Sequence, residues 1–134
     1  MEVTLSAAPV SMTRLWVGRI LSGLVVAFLV FDGIMKVLQL APAKETTTQL
    51  GYPEHLVLWL GILECACLVL YVLPRTSVLG AVMLTGFLGG AVATHVRFGS
   101  PAFSVAFPFI IGAFIWGGLY LREARLASLL PLRK

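Results

Sequence analysis

Charge is scarce in this sequence: Asp, Glu, Lys and Arg make up 12% of its 134 residues, about half the share usual in soluble domains. With 59% hydrophobic residues, the chain has too few polar groups to cover itself in water, and a bilayer is its natural solvent. Ten basic and six acidic residues leave a net charge of +4. The basic residues stand singly rather than on one polar face, so nucleic acid is not an expected partner. Cysteine is nearly missing. Cys65 and Cys67 lie two apart in one apolar segment, where helical neighbours point away from each other. That spacing argues against a disulfide and leaves them as small core or lipid-facing residues. Two histidines, His55 and His95, are too few to suggest a bis-histidine haem, and no c-type haem motif occurs. No small-x-small cleavage site follows the first apolar stretch, so the segment after Met1–Arg14 reads as an uncleaved span rather than a signal peptide. There is no internal repeat or low-complexity tract, and the length suits one domain, residues 1–134.

What the sequence does contain is four apolar segments near the length needed to cross a bilayer, about 20 residues. They run from about 16 to 40, 56 to 73, 76 to 96 and 102 to 121. The expected fold class is therefore an all-α membrane protein: a four-transmembrane-helix bundle with short loops. Pro74-Arg75-Thr76 is a tight break with Thr76 placed to cap the third helix. Gly99-Ser100-Pro101 repeats that logic, with Ser100 as N-cap and Pro101 at the first helical position. Gly51-Tyr52-Pro53 closes the longest connector, 41–50, which is polar enough for the interface and has room for a short helix.

Orientation follows from the positive-inside rule. Arg14, Arg19, Arg75, Arg122, Arg125, Arg133 and Lys134 fall on the side of the termini; Lys44 and Arg97 fall on the other. Both termini are thus expected to be cytoplasmic. Trp16 and Tyr120 suit the inner interface, and Trp59 and Tyr52 the outer one. Gly86 and Gly90 form a small-xxx-small pair beside Gly80, Gly89 and Ala93, with Gly112, Gly117 and Gly118 in the last span. Such residues serve close packing within the bundle or a homo-oligomer interface.

The informative residues are those that lipid disfavours. A charge at the bilayer centre costs roughly 2.5–3.5 kcal/mol on insertion scales. Asp32 and Lys36 lie on the first span, Glu64 on the second and His95 near the end of the third, with Arg97 close behind. Counting about 1.5 Å per residue, Asp32 and Glu64 both sit roughly 12 Å below the outer surface, and Lys36 and His95 lie nearer it. All four share the outer layer. Asp32 and Lys36 are spaced i, i+4 with the acid first, the favourable order. Lys36 can also reach Glu64, and His95 can donate to either carboxylate. Titratable groups gathered in this way are raw material for acid–base chemistry. Glu64, His95, Asp32 and Lys36 are accordingly the candidate catalytic residues. Trp59, Thr94 and Arg97 are the candidate ligand contacts.

Plainer readings stand beside these: a snorkelling Lys36, an interfacial Arg97, a packing His95, or a structural ion-pair network that locks the bundle. Asp32, Glu64 and His95 have the ligand types for a metal, but Lys36 in the same cluster argues against one, and no metal is expected. No serine lies near these groups on any span, so a Ser-His-Asp arrangement is excluded.

At these residues the sequence resembles a known family. The carrying stretches are Phe31-Asp32-Gly33-Ile34-Met35-Lys36, Leu50-Gly51-Tyr52-Pro53, Leu60-Gly61-Ile62-Leu63-Glu64 and Leu73-Pro74-Arg75-Thr76. They continue with residues 79–86, with Gly89-Gly90-Ala91-Val92-Ala93-Thr94-His95-Val96-Arg97, and with Trp116-Gly117-Gly118-Leu119-Tyr120-Leu121-Arg122. Together they resemble the DoxX-like family of small four-helix membrane proteins, over nearly the whole chain after the first dozen residues and with no departure at the ionisable positions. The resemblance implies a multi-pass protein, expected in a bacterial inner membrane. The family's namesake resembles a subunit of a thiosulfate:quinone oxidoreductase, so a quinone is the cofactor implied. More distant relatives are similar to membrane sterol isomerases. Three functions follow as expectations: binding of a lipophilic quinone- or isoprenoid-like molecule among the outer halves of the helices; acid–base isomerisation, cyclisation or hydrolysis of such a molecule; or a non-catalytic subunit or scaffold of a membrane redox complex. The bilayer, a lipophilic small molecule, and a second copy or partner subunit are the expected partners.

Overall fold

The computed structural model describes residues 11–129. Arg133, Lys134 and the segment before Ser11, weighed above for topology and as a leader, lie outside the described residues. Five α-helices follow one another: α1 Met12–Val37, α2 Ala41–Gln49, α3 Leu56–Val72, α4 Ser77–Phe98 and α5 Ala102–Arg122, with 3₁₀ turns at Pro74–Thr76 and Ala124–Ser128. Among the described residues there is no strand. α1, α5 and the segment Pro74–Phe98 are long and apolar enough to cross a membrane. α3 is equally apolar but has 17 residues, about 25 Å of helix. The connector does form a short helix, α2, with Pro42 in its first turn.

The helix ends follow from local chemistry. Ser11 caps α1, its hydroxyl accepting from the Arg14 N–H at 3.2 Å. α4 ends at Gly99, whose φ of +82° is the left-handed turn that glycine adopts freely. Two expected caps are placed differently. Thr76 precedes α4, but its hydroxyl turns back and donates to the Leu70 carbonyl at 2.7 Å. The reason is Pro74: it has no N–H to continue the ladder to Leu70, so Thr76 supplies the donor. Ser77 likewise donates to the Tyr71 carbonyl, at 2.8 Å. Ser100 does not cap α5, which starts at Ala102 behind Pro101. Its hydroxyl pairs with His95 instead, at 2.9 Å.

α1, α3, α4 and α5 pack in cyclic order, each against two neighbours, while the backbones of the diagonal pairs α1–α4 and α3–α5 stay apart. Arg14 at the start of α1 donates to the Tyr120 carbonyl near the end of α5, so the two described termini share one end of the molecule. The half nearest that end is filled by an apolar core that includes Val25, Leu68, Tyr71, Leu84, Ile115 and Leu119. Through it runs a chain of hydrogen bonds. The Arg122 Nε–H donates to Ser22 Oγ at 3.2 Å, Ser22 and Tyr71 hydroxyls meet at 2.9 Å, and Tyr71 donates to the Ile115 carbonyl at 2.7 Å. Because Tyr71 spends its proton on Ile115, Ser22 is the donor to Tyr71.

Glycine does two different jobs. A Cβ on Gly80 would run into the backbone of Tyr71, and one on Gly118 into Ser22. A Cβ on Gly18 would meet the Gly118 carbonyl at 2.8 Å, and one on Gly61 the Val37 nitrogen at 2.8 Å. These four close the helix seams. At Gly86 and Gly90 a Cβ would meet nothing within 4 Å. The small-xxx-small pair of α4 therefore does not pack one helix of this chain on another. Gly80→Ala should lower the melting temperature of the detergent-purified protein, at a cost of about 1–3 kcal/mol for overpacking. Gly90→Ala should leave it unchanged or raise it, since alanine is the better helix former by roughly 0.5–1 kcal/mol. Equal losses in the two variants would refute this division of labour.

Candidate functional site

Away from the termini the unpaired diagonals leave a half-open cavity of about 730 Å³. Its walls come from all four long helices, and α2 covers it, contributing Pro42, Thr46 and Thr47. The rings of Phe28, Phe87 and Phe107 are part of its apolar wall.

Three charged side chains meet at this cavity. Asp32 and Lys36 lie one turn apart on α1, so both project from one face. Lys36 Nζ donates to Asp32 Oδ2 at 2.7 Å and reaches Glu64 Oε2 on α3 at 3.5 Å. Its ammonium also lies over the Phe87 ring of α4, 5.3 Å from the centroid, within cation–π range. The close approach of α1 and α3 here depends on Gly33 and Gly61: a Cβ on Gly33 would meet Cys65 Sγ at 2.8 Å, and one on Gly61 would meet Lys36 Cβ at 2.7 Å. Glu64 is fully enclosed, 0% exposed, and its Oε1 has no hydrogen-bond partner among the described residues. The Asp32 side chain is the open one, 40% exposed, against 17% for Lys36. With all three ionised the trio carries a charge of −1; with one proton on a carboxyl it is neutral.

The remaining candidates divide. His95 and Thr94 line the cavity. His95 Nδ1 is bonded to Ser100, and no bond joins its ring to either carboxylate. Thr94 donates to the Gly90 carbonyl at 2.8 Å, so its oxygen is left to accept from the Tyr52 hydroxyl at 2.7 Å. That bond ties the α2–α3 connector to α4. Arg97 does not line the cavity; it donates to the Leu50 carbonyl at 3.4 Å, beside Gly51 at φ +97°. Trp59 is 62% exposed and also lies off the cavity. Among the described residues no group of three or more His, Cys, Asp or Glu side chains can hold a metal.

Several site residues carry no signal in the sequence. Thr46 and Thr47 sit in a polar connector whose fold-back over the cavity depends on Gln39, which takes φ +53° just after α1, and on Gly51. Pro108 and Phe107 lie in an apolar helix like any other. Tyr52 is the exception: it stands in one of the stretches that carry the family resemblance.

Apolar helices with charged groups turned inward define an integral membrane protein. Residues 20–118 match the family model described as the DoxX-like family, and the chain belongs to that family. No curated protein and no solved structure matches the chain.

The ion cluster predicts a coupled energetics. Lys36→Met strands two carboxylates beside each other and should destabilise the protein by about 3 kcal/mol or more. Adding Glu64→Gln should restore part of the loss. A double-mutant cycle from thermal melts checks this, and strictly additive changes would show that Lys36 and Glu64 do not interact.

Proposed function

We propose that the chain is a single four-span transmembrane domain with both termini cytoplasmic, in a bacterial inner membrane, and that it binds a lipophilic quinone- or isoprenoid-like molecule in the cavity. α3 is taken as the fourth span because its 17 residues reach the lower limit for crossing and its ends are held by Pro53 and Pro74. The observation that carries the ligand reading is the meeting of Asp32, Lys36 and Glu64 at a largely apolar cavity of about 730 Å³. Binding sites for small molecules have this composition: a mostly apolar wall with a few convergent polar groups, in about 300–1,000 Å³. Charges so costly in an apolar medium also need a use. Glu64 and Asp32, with Lys36 between them, would fix the polar end of the ligand and exchange protons with it. His95 and Thr94 would face it from α4.

A structural reading is favoured by one feature, the bridge that Lys36 makes from α1 to α3. In that reading the protein is a scaffold or partner subunit and the cluster locks two helices. Glu64→Gln separates the two, because glutamine keeps the volume and an oxygen for Lys36 while removing the charge. Mass spectrometry of the purified protein should find a lipophilic compound with the wild type and lose it with Glu64→Gln, the variant still folding. Identical small-molecule content in both would sink the site assignment. A wild type without bound compound, together with a less stable variant, would favour the scaffold.

A further inference from the structure

The hydrogen-bond inventory of the cluster is lopsided. Two carboxylates offer four oxygens, and Lys36 engages one from each, Asp32 Oδ2 and Glu64 Oε2. The ammonium has three N–H groups. Two can serve those oxygens, and the ammonium also lies over the face of the Phe87 ring. With Lys36 turned to these partners, the member of the cluster that the cavity reaches is the open carboxylate of Asp32, an acceptor, while Glu64 Oε1 stays enclosed and without a partner among the described residues. A ligand head that brings only carbonyl or ether oxygens adds acceptors to a surplus of acceptors. A hydroxyl supplies what is missing.

The second observation lies across the cavity on α4. Gly86 and Gly90 both line it, one turn apart, and neither would touch anything if it carried a Cβ. Glycine inside a helix is a destabilising choice. At Gly18, Gly61, Gly80 and Gly118 close helix packing explains it, but at Gly86 and Gly90 no part of the chain uses the space. A helix bare for a full turn offers a shallow trough of backbone, wide enough for a hydrocarbon chain or ring to lie directly against it. The trough lies between Met83 and Thr94 on the wall of the cavity, whose lining also includes Phe28 and Phe107.

Resting on the lipophilic-ligand reading above, we propose that the occupant is a lipophilic alcohol or phenol, its hydroxyl donating to the open Asp32 carboxylate beside the enclosed Glu64 and its apolar body lying along α4 at Gly86 and Gly90. The head is thus recognised by its proton and the tail by shape alone.

Competition binding on the full-length protein in detergent tests this, with tritiated farnesol as the probe and its methyl ether as the competitor. The ether keeps the tail and loses only the donor, so it should compete about tenfold or more weakly, the usual worth of a hydrogen bond to a charged group. Gly90→Leu fills the trough and should weaken farnesol binding by about tenfold or more while the melting temperature holds. A prenylated hydroquinone run alongside distinguishes a phenolic from an alcoholic head by whether it displaces farnesol at lower or higher concentration. Equal affinity for alcohol and ether, or undiminished farnesol binding in Gly90→Leu, overturns the proposal while leaving the lipophilic-ligand reading in place. Saturable binding by neither farnesol nor the hydroquinone overturns that reading as well.

Discussion

One ammonium holds this structure's polar centre together. Lys36 sits between a carboxylate on its own helix and one on the neighbouring helix, in surroundings where an uncompensated charge is expensive. Its position fixes much else. It needs α1 and α3 close, which Gly33 and Gly61 permit, and it needs a ring above it, which Phe87 supplies from α4. The cluster is thus a contact among three helices rather than a pair on one. A helical Asp–Lys pair at i, i+4 is worth only a few tenths of a kcal/mol in water. What gives it consequence here is the enclosed Glu64 alongside, which has no route to solvent of its own.

The molecule divides into two halves with different logic. Near the termini, side chains and glycine seams leave no room: Tyr71 is buried, and α4 lies on α3 through Gly80 without a side chain between them. Away from the termini, the same helices keep their diagonal neighbours apart and the interior stays open. The filled half gives the open half its rigidity. A cavity lined by four helices persists only if something else sets their spacing, and the seams at Gly18, Gly80 and Gly118 do so.

Much of this was legible in the residues. The apolar segments mark the helices to within a few positions, and comparison of depths along the spans brings Asp32, Lys36 and Glu64 to one layer. Depth is one-dimensional, however. It put His95 in the same layer without indicating that its ring nitrogen would turn to Ser100. It made Trp59 and Arg97 plausible neighbours although helix rotation sends Trp59 outward and Arg97 to the Leu50 carbonyl. The hydroxyls of Thr76 and Ser100 depart from the expected caps for a related reason. Sequence patterns show that a hydroxyl precedes a helix, while the competing demand, the carbonyl that Pro74 leaves unserved, belongs to the previous helix. The meaning of Gly86 and Gly90 was hidden most completely, since a small-xxx-small pair looks the same whether a helix or a void faces it.

The hydrogen-bond chain in the filled half has a direction, and both of its ends are inert. It starts at Arg122, whose guanidinium does not release a proton at any ordinary pH, and stops at the amide carbonyl of Ile115, which does not take one. Ser22 and Tyr71 are aligned between them like a wire with both terminals capped. Such a chain stabilises helices without conducting. That chain therefore offers no proton path through the half nearest the termini, and the open member of the Asp32–Lys36–Glu64 cluster, Asp32 at the cavity, is where a proton is exchanged.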